Sequence, residues 1–264
     1  MTWLIQARAL FRRDFLTDLR HRLVYLFLIG EAALALVSYA FLARVFGAAR
    51  PDGYEPLPFL LVGIALTDSL TTSLVYLAQG VRSNQQSGTL KALLAMPISP
   101  VRLMCLSMPY PGVRAAIDFL LFLGVAIALG LPVAAINVGA TTVVFVLSVL
   151  AMTGPAVVSA AFAVAFKRGD PVRWALGSVT WLLSGVLYPT DVLPSALERV
   201  AWWLPTTHAL TAIRATVIDG ASLTRVAGDA AALAVFAAIG IPLALWMFSQ
   251  AVDYAKREGT IGHT

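Results

Sequence analysis

Four charged side chains stand inside long apolar runs: Glu31, Asp68, Arg114 and Asp118. A charge at the centre of a lipid bilayer costs at least ~2.5–3.5 kcal/mol, so each of them needs a partner or water. Arg114 and Asp118 are four residues apart, the spacing that puts an ion pair on one helix face, and a structural pair accounts for both. Asp68 lies in a polar run in which Thr67, Asp68, Thr71, Thr72 and Tyr76 can share a stripe. Such a stripe is either a hydrated surface for a passing solute or a seam of hydrogen bonds between helices, worth ~0.6 kcal/mol each. Ser178, Trp181, Ser184 and Gly185 form a second mixed aromatic and polar face. Glu31 has no local partner; Arg199, Arg214 or a second protomer would supply one.

Enzyme chemistry has little to build on. The chain contains no G-x-x-x-x-G-K-[ST] phosphate cradle, no G-x-S-x-G and no H-E-x-x-H. His21, His208 and His263 are far apart, and the single Cys105 excludes a disulfide framework or a multi-cysteine metal site. No catalytic residue, metal or cofactor is expected in this chain. His208 reads as a capping or interfacial residue rather than a proton relay, and Trp202 and Trp203 as interfacial anchors.

The elements that must position these residues are membrane helices. Of 264 residues 59% are hydrophobic and 12% charged, and the mean hydropathy is +0.82. That composition excludes disorder and an ordinary soluble enzyme. The net charge of +5 suits basic loops facing anionic lipid rather than nucleic acid. Residues 1–22, with Arg8, Arg12, Arg13, Arg20 and Arg22, read as an amphipathic helix lying in the interface, apolar face down, and not as a cleaved signal. Six runs are long enough to cross ~30 Å: Leu23–Val45, Phe59–Val81, Val113–Leu131, Thr141–Phe166, Trp174–Tyr188 and Ala230–Val252. Pro109-Tyr-Pro-Gly112 should bend the start of the third. Between the last two, Pro189, Pro194 and Pro205 punctuate an apolar stretch with the pattern of two half-helices, about Pro194–Leu204 and Thr207–Asp219, stopped at Gly220. Arg199 and Arg214 would snorkel there or pair with Asp191, Glu198 or Asp219. Thirteen basic residues fall on one side of the six runs and five on the other, so both termini are expected in the cytoplasm, with residues 253–264 as a tail. Residues 1–264 thus read as one all-α membrane domain.

The connection between the second and third runs carries the most specific pattern. Ser87, Gly88 or Thr89 can cap a short helix, Leu90, Leu93 and Leu94 fall on one face, and Pro97 stops it. A helix this short has no core of its own, so its leucine face needs lipid or the groove of another protein. The pattern Gly88-Thr89-Leu90-x-x-Leu93-Leu94-x-x-Pro97 resembles the coupling helix of type-2 ABC exporter permeases, with Gln85, Gln86 and Lys91 where that family usually carries acids. Gly185-x-x-Tyr188-Pro189, Leu193-Pro194, Pro205-Thr206-Thr207-His208 and Arg214 are similar to the same family's fifth-span and re-entrant signature. With the six-run order, the resemblance covers nearly the whole chain.

That resemblance implies a permease subunit in the cell (inner or plasma) membrane. It implies a second permease subunit, as homodimer or heterodimer, and two copies of a separate ABC ATPase that binds ATP and Mg and receives the Leu90–Leu94 face. The second and fifth spans would line the path, and the segment holding Pro189, Pro194, Pro205 and Arg214 would gate its outer end. The substrate would be a drug-like amphiphile, a lipid or a glycolipid. Two rivals stand beside this reading: an ion-coupled transporter using Asp68 or Glu31, and a docking protein using the leucine face without transport.

Overall fold

The computed structural model describes residues 2–20, 22–47, 56–86, 99–132, 136–166 and 171–257. Within them the chain is helical: α1 (Thr2–Arg20), α2 (Arg22–Gly47), α3 (Pro56–Gln86), α4 (Pro100–Ser107), α5 (Pro109–Ala128), α6 (Val138–Phe166), α7 (Pro171–Leu183), α8 (Ser195–Ala201), α9 (Pro205–Val217) and α10 (Ala227–Arg257), with a 3-10 turn at Thr190–Val192. No strand occurs among the described residues. The segment bearing Gly88, Thr89, Leu90, Leu93, Leu94 and Pro97 lies outside them.

Among the described residues four stretches are long and apolar enough to cross a bilayer: Leu57–Ser83, Pro100–Ala128, Val138–Phe166 and Ala227–Arg257. They match the second, third, fourth and sixth expected runs. The first run lies within α2, a continuous helix of 26 residues, whose Phe27–Phe41 part is apolar. The fifth is shorter than expected. α7 has 13 residues, about 20 Å of helix, and ends at Leu183 rather than Tyr188. Gly185 is the reason: its φ of +77° lies in the left-handed region, and the chain then bends toward Pro189. The third run bends where expected, α4 giving way to α5 at Met108 and Pro109, and α5 stops at Ala128. The two half-helices are α8 and α9, with Pro205 starting the second and Gly220 (φ +64°) past its end.

α6 lies at the centre, buried around most of its girth by Val144, Ser148, Ala151, Ala156, Val157, Ala160 and Val164. α3, α9 and α10 pack on it, and α2 and α5 cover α3. Where α6 crosses α10, Gly154 and Gly240 meet backbone to backbone; a Cβ on Gly154 would stand 3.0 Å from the Gly240 carbonyl carbon. Small residues at such a crossing allow close van der Waals approach, which drives helix association where solvent is itself apolar. Several hydroxyls in the long helices are satisfied internally: Thr67, Ser69, Thr71, Ser148 and Thr153 donate to the carbonyl four residues back at 2.6–2.9 Å.

Candidate functional site

One end of the bundle gathers residues from α3, α7, α9 and the bend after α7. Arg214 of α9 is turned inward. Its Nη1 donates to the Gly185 carbonyl at 2.7 Å, Nη2 to Val186 at 2.8 Å and Nε to Phe59 at 3.2 Å, and its Cζ lies 3.5 Å over the Phe59 ring. The guanidinium thus supplies donors to carbonyls that the broken end of α7 leaves without helical partners. This corrects the expectation that Arg214 snorkels or seeks a surface carboxylate: α9 is buried along most of its length and aims the side chain at the core. Arg199 does remain outside, on exposed α8, donating to the Ser195 carbonyl at 3.2 Å.

Two neighbours make the arrangement possible. Gly63 on α3 leaves the space that Nη2 occupies; a Cβ there would overlap it and touch the Val186 carbonyl at 3.0 Å. Ser184, buried at the last turn of α7, shares a 2.6 Å hydrogen bond with Thr206 of α9. Beside these groups is an open cavity of about 700 Å³ walled by Phe59, Ser184, Gly185, Pro189, Asp191, Arg214 and Asp219, among others. Six residues singled out in the sequence, Ser184, Gly185, Pro189, Asp191, Arg214 and Asp219, therefore share one site. Pro194 is exposed at the start of α8, and Pro205 opens α9.

The hairpin is tied to the bundle twice more. His208 is 5% exposed, with Nδ1 2.8 Å from Asp229 Oδ1 on α10 and Nε2 3.0 Å from the Trp202 carbonyl, which caps the end of α8 as expected. Trp202 and Trp203 stand at the turn between α8 and α9, 67% and 79% exposed, as anchors would. Asn137 caps α6 by accepting from the Ala140 amide at 3.1 Å, donates through Nδ2 to the Ala221 carbonyl at 3.2 Å, and through its own amide to Thr216 at 2.9 Å.

The stripe on α3 splits in two. Thr67 and Thr71 return their hydroxyls to their own helix, and Thr67 is buried. Asp68, Thr72 and Tyr76 face a charged cluster: Asp68 lies within electrostatic range of Glu31 and Asp118, and Thr72 stands beside Asp118. Glu31 is thus near enough to Asp68 for the two carboxylates to act on each other electrostatically. The expected Arg114–Asp118 pair is present at 3.2 Å, wholly buried on the aspartate side, and Arg114 also lies 3.6 Å from Asp18 of α1. On α7, Ser178 is exposed and Trp181 stacks on Tyr39 of α2 at 6.5 Å.

The sequence matches the ABC-2 type transporter family over residues 5–218. The chain belongs to that family. It is a type-2 ABC permease, a non-catalytic multi-pass membrane subunit of a transport system. It is similar to nodulation protein J of Rhizobium leguminosarum bv. viciae, 24% identical over 240 residues that cover 83% of each chain.

Sequence reasoning missed the partners of this permease's predicted residues. Phe59, Gly63, Asn137 and Asp18 belong to no motif, Thr206 and Tyr110 lie in proline motifs that say nothing of their partners, and all six touch residues well separated from them along the chain. Only Gly63, a glycine inside a long apolar helix, carried a usable local signal.

Proposed function

We propose that this permease spans the membrane six times, counting α2 and the short α7, with both termini in the cytoplasm and residues 1–264 forming one unit. Two permease subunits, identical or not, enclose the path, and two ATPase subunits supply ATP and Mg chemistry from below. The exported solute is an amphiphile: a lipid, a glycolipid or a drug-like molecule. The single observation that carries the proposal is the Arg214 junction. It makes the hairpin, the broken end of α7 and the start of α3 one wall of a polar cavity, so a shift of either helix reaches the hairpin directly. The cavity wall sets Asp191, Arg214 and Asp219 beside Pro58, Phe59 and Ile218, which suits a solute with a polar head and an apolar body. In this reading Pro189, Pro194, Pro205 and Arg214 form the outer gate. Thr67, Asp68, Thr71, Thr72, Tyr76, Ser178, Trp181 and Ser184 border the path. Asp68 one helical turn from Thr72, which itself stands beside Asp118, supports a polar lining of the path.

At the opposite end, Gly88, Thr89, Leu90, Leu93, Leu94 and Pro97 dock on the ATPase. Burying one leucine contributes ~1.5–3 kcal/mol, and an aspartate in its place reverses that. Leu93→Asp or Leu94→Asp should therefore weaken ATPase co-purification by roughly ten- to a hundredfold while the permease still inserts. Parental co-purification and parental transport in both variants would remove the docking role.

Topology is tested separately. In a Cys105→Ser background, cysteine at Ser195 or Ser222 should react with an impermeant maleimide added to intact cells, and cysteine at Ser87 should react only after lysis. Labelling of Ser87 from outside would invert the whole assignment.

A further inference from the structure

The face of α1 that meets the bundle mixes polar and apolar side chains. Gln6, Leu10, Asp14 and Asp18 recur every four residues and point inward, with Phe11 beside them. Gln6 accepts from Arg102 Nη2 of α4 at 3.0 Å. Leu10 and Asp14 border a cavity of about 100 Å³ shared with Tyr76, Leu103 and Met104. Phe11 sets its ring against Tyr110 of α5 at 5.5 Å. Asp18 accepts from the Tyr110 hydroxyl at 2.6 Å and more weakly from Tyr76 at 3.5 Å, and lies 3.6 Å from Arg114, which in turn holds Asp118. Meanwhile Ile5 and Leu16 are 66% and 47% exposed, on the side away from the protein. An interfacial helix held by lipid alone needs only its apolar side; this one has a second, protein-facing side built from a carboxylate and its donors.

We infer that Asp18, Tyr110 and Arg114 are positioning residues that lock α1 to α5, so that α1 and α4 transmit movement into the bundle as one body. Arg114 is suited to this because it is buried and forked, reaching Asp18 with one nitrogen and Asp118 with another. Lipid contact by Ile5 and Leu16 then sets the depth of α1, while the lock sets its register along α4 and α5. The transport arm of this inference rests on the exporter reading; the docking arm does not.

The test places cysteines at Gln6 and Arg102 in a Cys105→Ser background and measures their bridging by a short bis-maleimide in membranes of the full chain. Asp18→Asn should slow bridging at least fivefold, and Asp18→Glu should return it to within twofold of the parent. Tyr110→Phe, which removes one hydroxyl only, should fall between and serves if Asp18→Asn does not accumulate. In the complex with its ATPase, Asp18→Asn should raise the ATP hydrolysed per solute exported at least fivefold, and bridging Gln6 to Arg102 should lower it again. Equal bridging rates in Asp18→Asn and parent overturn the lock. Slowed bridging with an unchanged ATP-to-solute ratio overturns its role in transmission. A parent chain that exports nothing with an ATPase overturns the exporter reading and the transport arm with it, while the bridging rates still decide the lock.

Discussion

Gly63→Val is expected to abolish export while leaving membrane insertion and ATPase binding intact. The valine side chain would occupy the position of the Arg214 guanidinium and press on the Val186 carbonyl. Arg214 cannot move aside cheaply, because its three nitrogens serve Gly185, Val186 and Phe59 and its plane lies on the Phe59 ring. Displacing it leaves buried acceptors without donors, at about 1–3 kcal/mol each. Water from the neighbouring cavity recovers part of this, so a net loss of about 3–5 kcal/mol is expected, comparable with breaking a buried charged network. Arg214→Ala should reproduce the defect, and Arg214→Lys should not rescue it, since an ammonium cannot serve three divergent acceptors from a planar fork. Thermal unfolding in detergent and export in cells provide the two readouts. Parental values for Gly63→Val in both would refute the junction.

Gly154→Leu should be nearly as damaging, but through packing. Its Cβ would lie within 3.0–3.2 Å of the Gly240 backbone, and backbone cannot rotate away as a side chain can. Pro155 and Pro242 follow close behind on the two helices, where each lacks the N–H of the helical ladder. Overpacking typically costs 1–3 kcal/mol, and the upper end of about 3 kcal/mol or more is expected where both partners are backbone. Gly124→Leu is the control: a Cβ at Gly124 meets nothing within 4 Å. A lowered melting temperature and reduced yield for Gly154→Leu, with parental behaviour for Gly124→Leu, is the expected pattern. Equal behaviour of the two would show that the close crossing contributes little.

What could be read from the chain before its coordinates follows a physical divide. Apolar run length announced α3, α5, α6 and α10, because a bilayer sets a minimum helix length and few soluble patterns imitate it. Local spacing announced the Arg114–Asp118 pair, and prolines announced α8, α9 and the bend at Pro109. The end of α7 was misplaced because Leu187 and Tyr188 are as apolar as the helix before them; the break is made by one residue, Gly185, whose backbone sign no composition reveals. The inward turn of Arg214 was likewise invisible. It depends on Gly63 and Phe59, more than a hundred residues earlier, and single-sequence reasoning measures only neighbours. The same limit explains why α1 was expected to meet lipid with one face and water with the other, when Asp18 instead meets Tyr110 and Arg114.

The hydroxyls that close on their own helices have a mechanical consequence. Thr67, Thr71, Ser148 and Thr153 give nothing to adjacent helices. Where these hydroxyls lie, the contact between α3 and α6 is left to side-chain packing, which changes less steeply over a small slide than a directional bond does. Directional bonds cluster at Arg214 and Asn137 at one end and at Asp18, Arg114, Asp118 and Thr72 towards the other. A bundle made this way behaves as a rod in a greased sleeve with a clasp near each end: friction in the middle is low, and the work of any stroke is decided by which clasp opens first.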